Sequence, residues 1–160
     1  MFRPFLLLDK QVDIGFNKVM PTPLHRILVN TVIEKDGRFL ILQRSLEEEH
    51  MPGKWTIPGG KVEHTGGDVW NVLEENAVRE VKEESGIEIE NLKMIVDNSF
   101  IHTSGDHVVA VIFFAHHKSG DAMPLEDSIA ARWITLDEFD NYDFAPNVKR
   151  YLNIAAQSVR

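Results

Sequence analysis

The residues in this chain best suited to chemistry form one short run, Arg79-Glu80-Val81-Lys82-Glu83-Glu84-Ser85-Gly86-Ile87. On a helix, at about 100° per residue, Glu80, Glu83 and Glu84 fall within an arc of about 100°, so three carboxylates share one patch. Glu80 and Glu84 are like charges at i,i+4, which costs roughly a few tenths of a kcal/mol. All three also lie near a helix C-terminus, where the dipole favours lysine or arginine. An acid-rich helix is most often a solvated face. Carboxylates that repel one another, oppose the dipole and border an apolar stripe are better explained by a divalent cation that neutralises them. An all-oxygen ligand set selects magnesium, manganese or calcium over zinc or copper, and Mg²⁺ commonly bridges carboxylates to substrate phosphates.

The elements that must present these groups follow from periodicity. Trp70, Leu73, Ala77 and Val81 recur at spacings of three and four, which predicts an amphipathic helix over 68–85, capped by Asp68 and ended by Gly86 in a left-handed conformation. Upstream, the apolar segments 26–34 and 38–43 flank Lys35-Asp36-Gly37 and read as two strands joined by a turn. A polar loop over 45–54 leads to a short strand, Trp55-Thr56-Ile57, which Pro58 stops, and Gly59-Gly60 is expected to turn tightly. Downstream, 92–102 reads as a strand, 108–115 (VVAVIFFA) as a strand buried on both faces, and 131–135 as a further strand. Pro146 suits the first turn of a last helix reaching about Gln157, with Tyr151, Leu152 and Ile154 inward. Strands on either side of an internal helix, with another helix at the end, predict an α/β (α+β) fold: a mixed sheet sandwiched between helices.

The 160 residues, 43% hydrophobic and 26% charged, suffice for one globular domain with a buried core and leave no room for a second. The chain reads as an N-terminal arm over 1–23 and a single domain over 24–160. In the arm, Phe5, Leu6, Leu7 and Leu8 form an apolar patch that Asp9 and Lys10 cut far short of a signal core or a membrane span. It is expected to pack on the domain or on a second subunit, a basis for a homodimer. The absence of cysteine excludes disulfides, thiolate metal sites and a cysteine nucleophile, and makes the cytoplasm the default location. A formal net charge of −8 argues against gripping a nucleic-acid backbone, and an anionic small substrate then needs a cation to mediate.

Gly60 followed by Arg79-Glu80-Val81-Lys82-Glu83-Glu84-Ser85-Gly86-Ile87 resembles the Nudix box, G-x5-E-x7-R-E-U-x-E-E-x-G-U with U aliphatic. Its second half matches without a gap, and the stretch from Trp55 through Pro58-Gly59-Gly60 to Glu63 is also similar to the family's strand and loop. One departure stands out: eighteen residues, 61–78, separate Gly60 from Arg79 where the pattern has thirteen, an insertion of five around 64–69. The pattern's first glutamate then falls on Asn71, and Asp68, Glu74 or Glu75 would replace it only with a re-routed loop. Weakened bracing of the loop is expected, with the metal chemistry retained.

The resemblance implies a Nudix-type fold and a Mg²⁺-dependent hydrolase, Mn²⁺ being the alternative ion. Glu80 and Glu84 would be the principal ligands, Glu83 a further ligand or a base, and a backbone carbonyl at Gly59 or Gly60 would complete the sphere. Arg79 would orient Glu80 or the loop. Arg44 resembles an arginine that meets substrate phosphate in MutT-like members, and His50 lies in the loop that follows. Glu126, with Asp127, stands where many relatives carry an additional acidic ligand or base. Asn147 resembles an asparagine that reads a purine edge, although an ordinary helix-start asparagine is the simpler account. The successive His116 and His117 would point to opposite faces of a strand and make a poor metal site.

The substrate implied is a nucleoside diphosphate linked to another group, with a nucleoside triphosphate slightly preferred over a nucleotide sugar or ADP-ribose. A catalytically silent nucleotide-binding regulatory module is the rival of another class; the intact glutamate triad weighs against it and the irregular loop in its favour. An isomerase of prenyl diphosphates is disfavoured, since such relatives need a cysteine.

Overall fold

The turn at Asp36-Gly37 sets the first hairpin. Both residues have positive φ, 51° and 76°, the two-residue type I′ geometry whose twist matches that of paired strands. It joins β1 (His25–Lys35) to β2 (Arg38–Arg44), with Glu34 opposite Phe39 and Lys35 opposite Arg38. The computed structural model describes residues 25–63 and 66–158. The N-terminal arm with its apolar patch, and residues 64 and 65 of the insertion, lie outside the described residues.

Beyond the hairpin end β1 and β2 part company. Along Leu28, Val29 and Asn30, β1 pairs instead with the short β4 (Gly59–Lys61). Meanwhile β2 takes β3 (Trp55–Thr56) and β7 (Ser128–Ile134) as antiparallel partners. On its other side β1 runs parallel to β6 (His107–Ser119), which pairs antiparallel with β5 (Glu88–Ile101). Seven strands thus form one mixed sheet among the described residues. The parallel β1–β6 pair requires a crossover, and that connection contains α1 (Val72–Ser85).

Alternation along the central strands assigns the two faces. Val32, Ile41 and Ile112 point to a core completed by Val148, Leu152 and Ala155 of α2 (Val148–Ser158). Their neighbours Ile33, Leu40, Leu42, Val111 and Phe113 point the other way, to Ala77 and Val81 of α1. A helix therefore covers each face, and β6 is buried on both, as its unbroken apolar run requires.

The structure corrects four expectations. Gly59-Gly60 is strand, not a turn: a Cβ on Gly59 would lie 2.2 Å from the Val29 carbonyl oxygen, so the glycine serves close approach of β4 to β1. The internal helix starts at Val72; its N-cap is Asn71, left-handed at φ 55°, rather than Asp68. Trp70 therefore precedes the helix and is 78% exposed instead of joining the apolar stripe. Pro146 lies outside α2, which follows Asn147 at φ 69°, again left-handed. Gly86 ends α1 as expected, with φ 75° and its N–H donating to the Lys82 carbonyl.

Candidate functional site

Where β1 and β2 separate, the backbone of β4 lies against the carboxylates of α1. The Gly59 N–H donates to Glu84 Oε2 at 3.0 Å. Gly60 faces Glu80 so closely that a Cβ there would stand 2.6 Å from the carboxylate. Glu80 is only 8% exposed. Its Oε1 accepts from the Arg79 guanidinium at 2.7 Å, and the same guanidinium donates to Glu83 Oε2 at 2.6 Å. Glu83 is the outermost of the three, its side chain 41% exposed.

The electrostatics follow from this packing. Burial pushes the Glu84 carboxyl up to about 8, and the nearby Glu80 and Glu126 add to the rise; the Gly59 N–H and Arg44 oppose it. Burial likewise raises Glu80, with Arg79 pulling it back and Glu83 and Glu126 raising it further. Two carboxyls one helical turn apart are thus held in surroundings that disfavour two negative charges, the setting in which a divalent cation is most welcome.

Glu126 reaches this patch by way of the helix end. Met123 and Leu125 donate their N–H groups to the carbonyls of Ser85 and Glu84, both at 3.1 Å, satisfying two of the acceptors that α1 leaves open. Glu126 follows in a left-handed conformation, φ 49°, and the Asp127 carbonyl accepts from Ser45 N–H at 2.7 Å, beside Arg44. The loop before β7 is thereby tied to both α1 and the end of β2.

Among the described residues no three Asp, Glu or His side chains already stand as a cluster ready to enclose an ion. Arg79 donates to both Glu80 and Glu83. The donor set nevertheless suits a hard cation: two confined carboxylates, Glu80 and Glu84, with Glu126 acting on both, beside a glycine backbone that no side chain shields.

The NUDIX domain family matches residues 23–153. The chain belongs to the Nudix family. It is 30% identical to the uncharacterized Nudix hydrolase YvcI of Bacillus subtilis over 129 residues, 78% of this chain and 75% of the relative. It is 27% identical to the ADP-ribose pyrophosphatase of Methanocaldococcus jannaschii over 133 residues, 79% of this chain and 72% of the relative. Among solved structures, the MutT NUDIX hydrolase of Burkholderia pseudomallei superposes with a TM-score of 0.65 and 28% identity, covering 86% of this chain and 99% of that one. This protein is accordingly a hydrolase of phosphoanhydride bonds, in a family that generally uses divalent metals. No helix among the described residues is long and apolar enough to cross a membrane.

The other residues singled out in this Nudix chain are placed unevenly. Arg44 lies near enough to Glu84 to lower its pKa, while its own guanidinium donates to the His50 carbonyl at 2.9 Å and to Glu48 at 2.7 Å. His50 packs edge-on against His102, ring centroids 4.2 Å apart, and its Nδ1 lies 3.2 Å from Thr103 Oγ1, so it joins the loop to the β5–β6 hairpin. Asn147 is exposed at the start of α2, on the opposite face of the sheet from α1, and its carbonyl accepts from Tyr151 N–H at 3.0 Å. His116 pairs with Glu34 and His117 with the Gly120 carbonyl, on separate partners as strand alternation demands.

One residue escaped the sequence reading. Asn76 is 6% exposed in the middle of α1 and bonds to Glu63, Val72 and Arg79. Its sign was visible: an asparagine three residues after Leu73 and one before Ala77 breaks the apolar stripe, where an unpaired amide would be costly.

Proposed function

We propose that this Nudix hydrolase cleaves a phosphoanhydride bond in a nucleoside diphosphate linked to another group, with Mg²⁺, or Mn²⁺ in its place. The observation that carries the proposal is the pair Glu80 and Glu84, confined one turn apart on α1 beneath the backbone of Gly59 and Gly60. These two carboxylates, with a backbone group at Gly60, would hold the ion, and Glu83 or Glu126 would supply a further ligand or the general base. When bound, such an ion supplies charge neutralisation at the phosphates and acidifies a bound water.

The chain's own residues complete the task. Arg79 holds Glu80 and Glu83 in place through a forked set of charged hydrogen bonds. Arg44, at the end of β2 with its charge acting on Glu84, would take a substrate phosphate by exchanging its bonds to the 45–54 loop. His50 would line the approach, and Asn147 would meet a purine edge if the base crosses towards α2.

A nucleoside triphosphate is the first substrate proposed, in keeping with the likeness to a MutT hydrolase. ADP-ribose is the second, favoured by the relative named as an ADP-ribose pyrophosphatase. A panel of nucleoside triphosphates, nucleotide sugars and ADP-ribose, assayed with and without Mg²⁺, tests the reading. Turnover should require the ion, and Glu84→Gln should lower kcat by at least about a hundredfold while leaving a folded protein. Turnover unchanged in that variant would reject the assignment.

A further inference from the structure

The box insertion removes the glutamate that the family pattern places before Arg79, and Asn71 stands there instead, left-handed at the head of α1. Something else has to hold the chain as it leaves β4. The Asn76 side chain meets the backbone of Glu63 twice: its Oδ1 accepts the Glu63 N–H at 2.9 Å, and its Nδ2 donates to the Glu63 carbonyl at 3.1 Å. The amide thus acts like a neighbouring strand for one residue, two positions beyond β4. Nδ2 also donates to the Val72 carbonyl at 2.7 Å, and Oδ1 accepts from the Arg79 guanidinium at 2.9 Å. Every polar atom of this buried amide is therefore engaged, with partners on the segment after β4, in the first turn of α1 and on Arg79.

We propose that Asn76 is the positioning residue of this metal site, replacing the missing glutamate as the link between the segment after β4 and the arginine. The inference rests on the proposed cation site at Glu80 and Glu84 and extends it to a residue that touches neither ion nor substrate. Arg79, steadied by Asn76 Oδ1, orients Glu80; Glu63, steadied by the same amide, holds Gly60 against the Glu80 carboxylate. One side chain sets both sides of the ion's seat. An aspartate or glutamate would satisfy Arg79 but would set an oxygen against the Glu63 and Val72 carbonyls; an asparagine offers both donor and acceptor.

The test is Mn²⁺ binding to the full chain without nucleotide, by calorimetry, alongside amide hydrogen exchange at Glu63. Asn76→Ala should weaken Mn²⁺ binding by about tenfold or more, as outer supports of metal ligands commonly do, and should release the Glu63 amide to rapid exchange. Tyr151→Phe, which removes a hydrogen bond to Asn98 on the far face of the sheet, should leave Mn²⁺ affinity unchanged and so separates positioning from general loss of stability. If Asn76→Ala folds and binds Mn²⁺ as the wild type does, the positioning role is overturned. Should the alanine variant fail to fold, Asn76→Ser, whose hydroxyl is too short to span Glu63, is read by the same criterion. Mn²⁺ binding that Glu84→Gln leaves intact would overturn the cation site itself, a different outcome from wild-type binding in the Asn76 variants alone.

Discussion

Removing divalent ions should make this protein less stable as pH rises, and Glu84 should be the reason. Its carboxyl is raised from 4.5 to about 8 in the folded chain, first by burial and then by Glu80 and Glu126. Between those values the folded state keeps a proton that the unfolded state has lost, so unfolding releases it and stability falls with increasing pH. The contribution is complete below pH 4.5 and gone above about 8. At about 1.4 kcal/mol per unit the shift would amount to about 5 kcal/mol undiluted. Glu84 is only part-buried, and solvent screening reduces this to about 2 kcal/mol. For a domain of this size that is about 4–8 °C in Tm. The assay is thermal unfolding in a chelator at pH 5.5 and 8.5, for the wild type and Glu84→Gln. The wild type should lose about two-thirds of those degrees relative to the variant between these pH values, because an amide does not titrate and the first unit of the change lies below pH 5.5. Adding Mg²⁺ at pH 8.5 should restore them, by about 2.7 kcal/mol at a hundred times Kd. Parallel pH curves for the two proteins would refute the reasoning, since Glu84 would then ionise in the folded state as easily as in the unfolded one.

Three further outcomes are expected. Gly60→Ala would place a Cβ 2.6 Å from the Glu80 carboxylate; the displaced ligand should lower kcat by about tenfold or more with Mg²⁺ present, while circular dichroism remains that of the wild type. Leu152→Ala, at a fully buried position of α2, should cost about 2–5 kcal/mol through its cavity, read as a lower denaturation midpoint with kcat unchanged at low temperature. Gly37→Ala meets no atom within 4 Å but must hold φ 76°, so denaturant unfolding should show a loss of about 1 kcal/mol with no change in turnover.

What could be read from the sequence was whatever is written locally. The arc shared by Glu80, Glu83 and Glu84, the stop at Gly86 and the hairpin at Asp36-Gly37 all depend on residues within four positions of one another, and all are found. Gly59-Gly60 reads as a turn in the sequence because glycine admits two accounts, positive φ and close approach. Only the pairing of Asn30 with Gly59, across 29 positions, decides for the second. Trp70 continues the helical stripe in the sequence, but the chain does not pass helically through its N-cap; Asn71 at φ 55° turns Trp70 out to solvent. Arg44 and Glu126 lie 82 positions apart, and no short-range pattern relates them. Their charges act on Glu84 because β2 pairs with β7 and because the loop before β7 ties its N–H groups to the open carbonyls at the end of α1. The carboxylates of the candidate site could thus be named from one helix, but the groups around them required the sheet. Asn76 belongs to both kinds of reading: its type and position were anomalous in the sequence, and only the path of the chain past Glu63 shows what the anomaly serves.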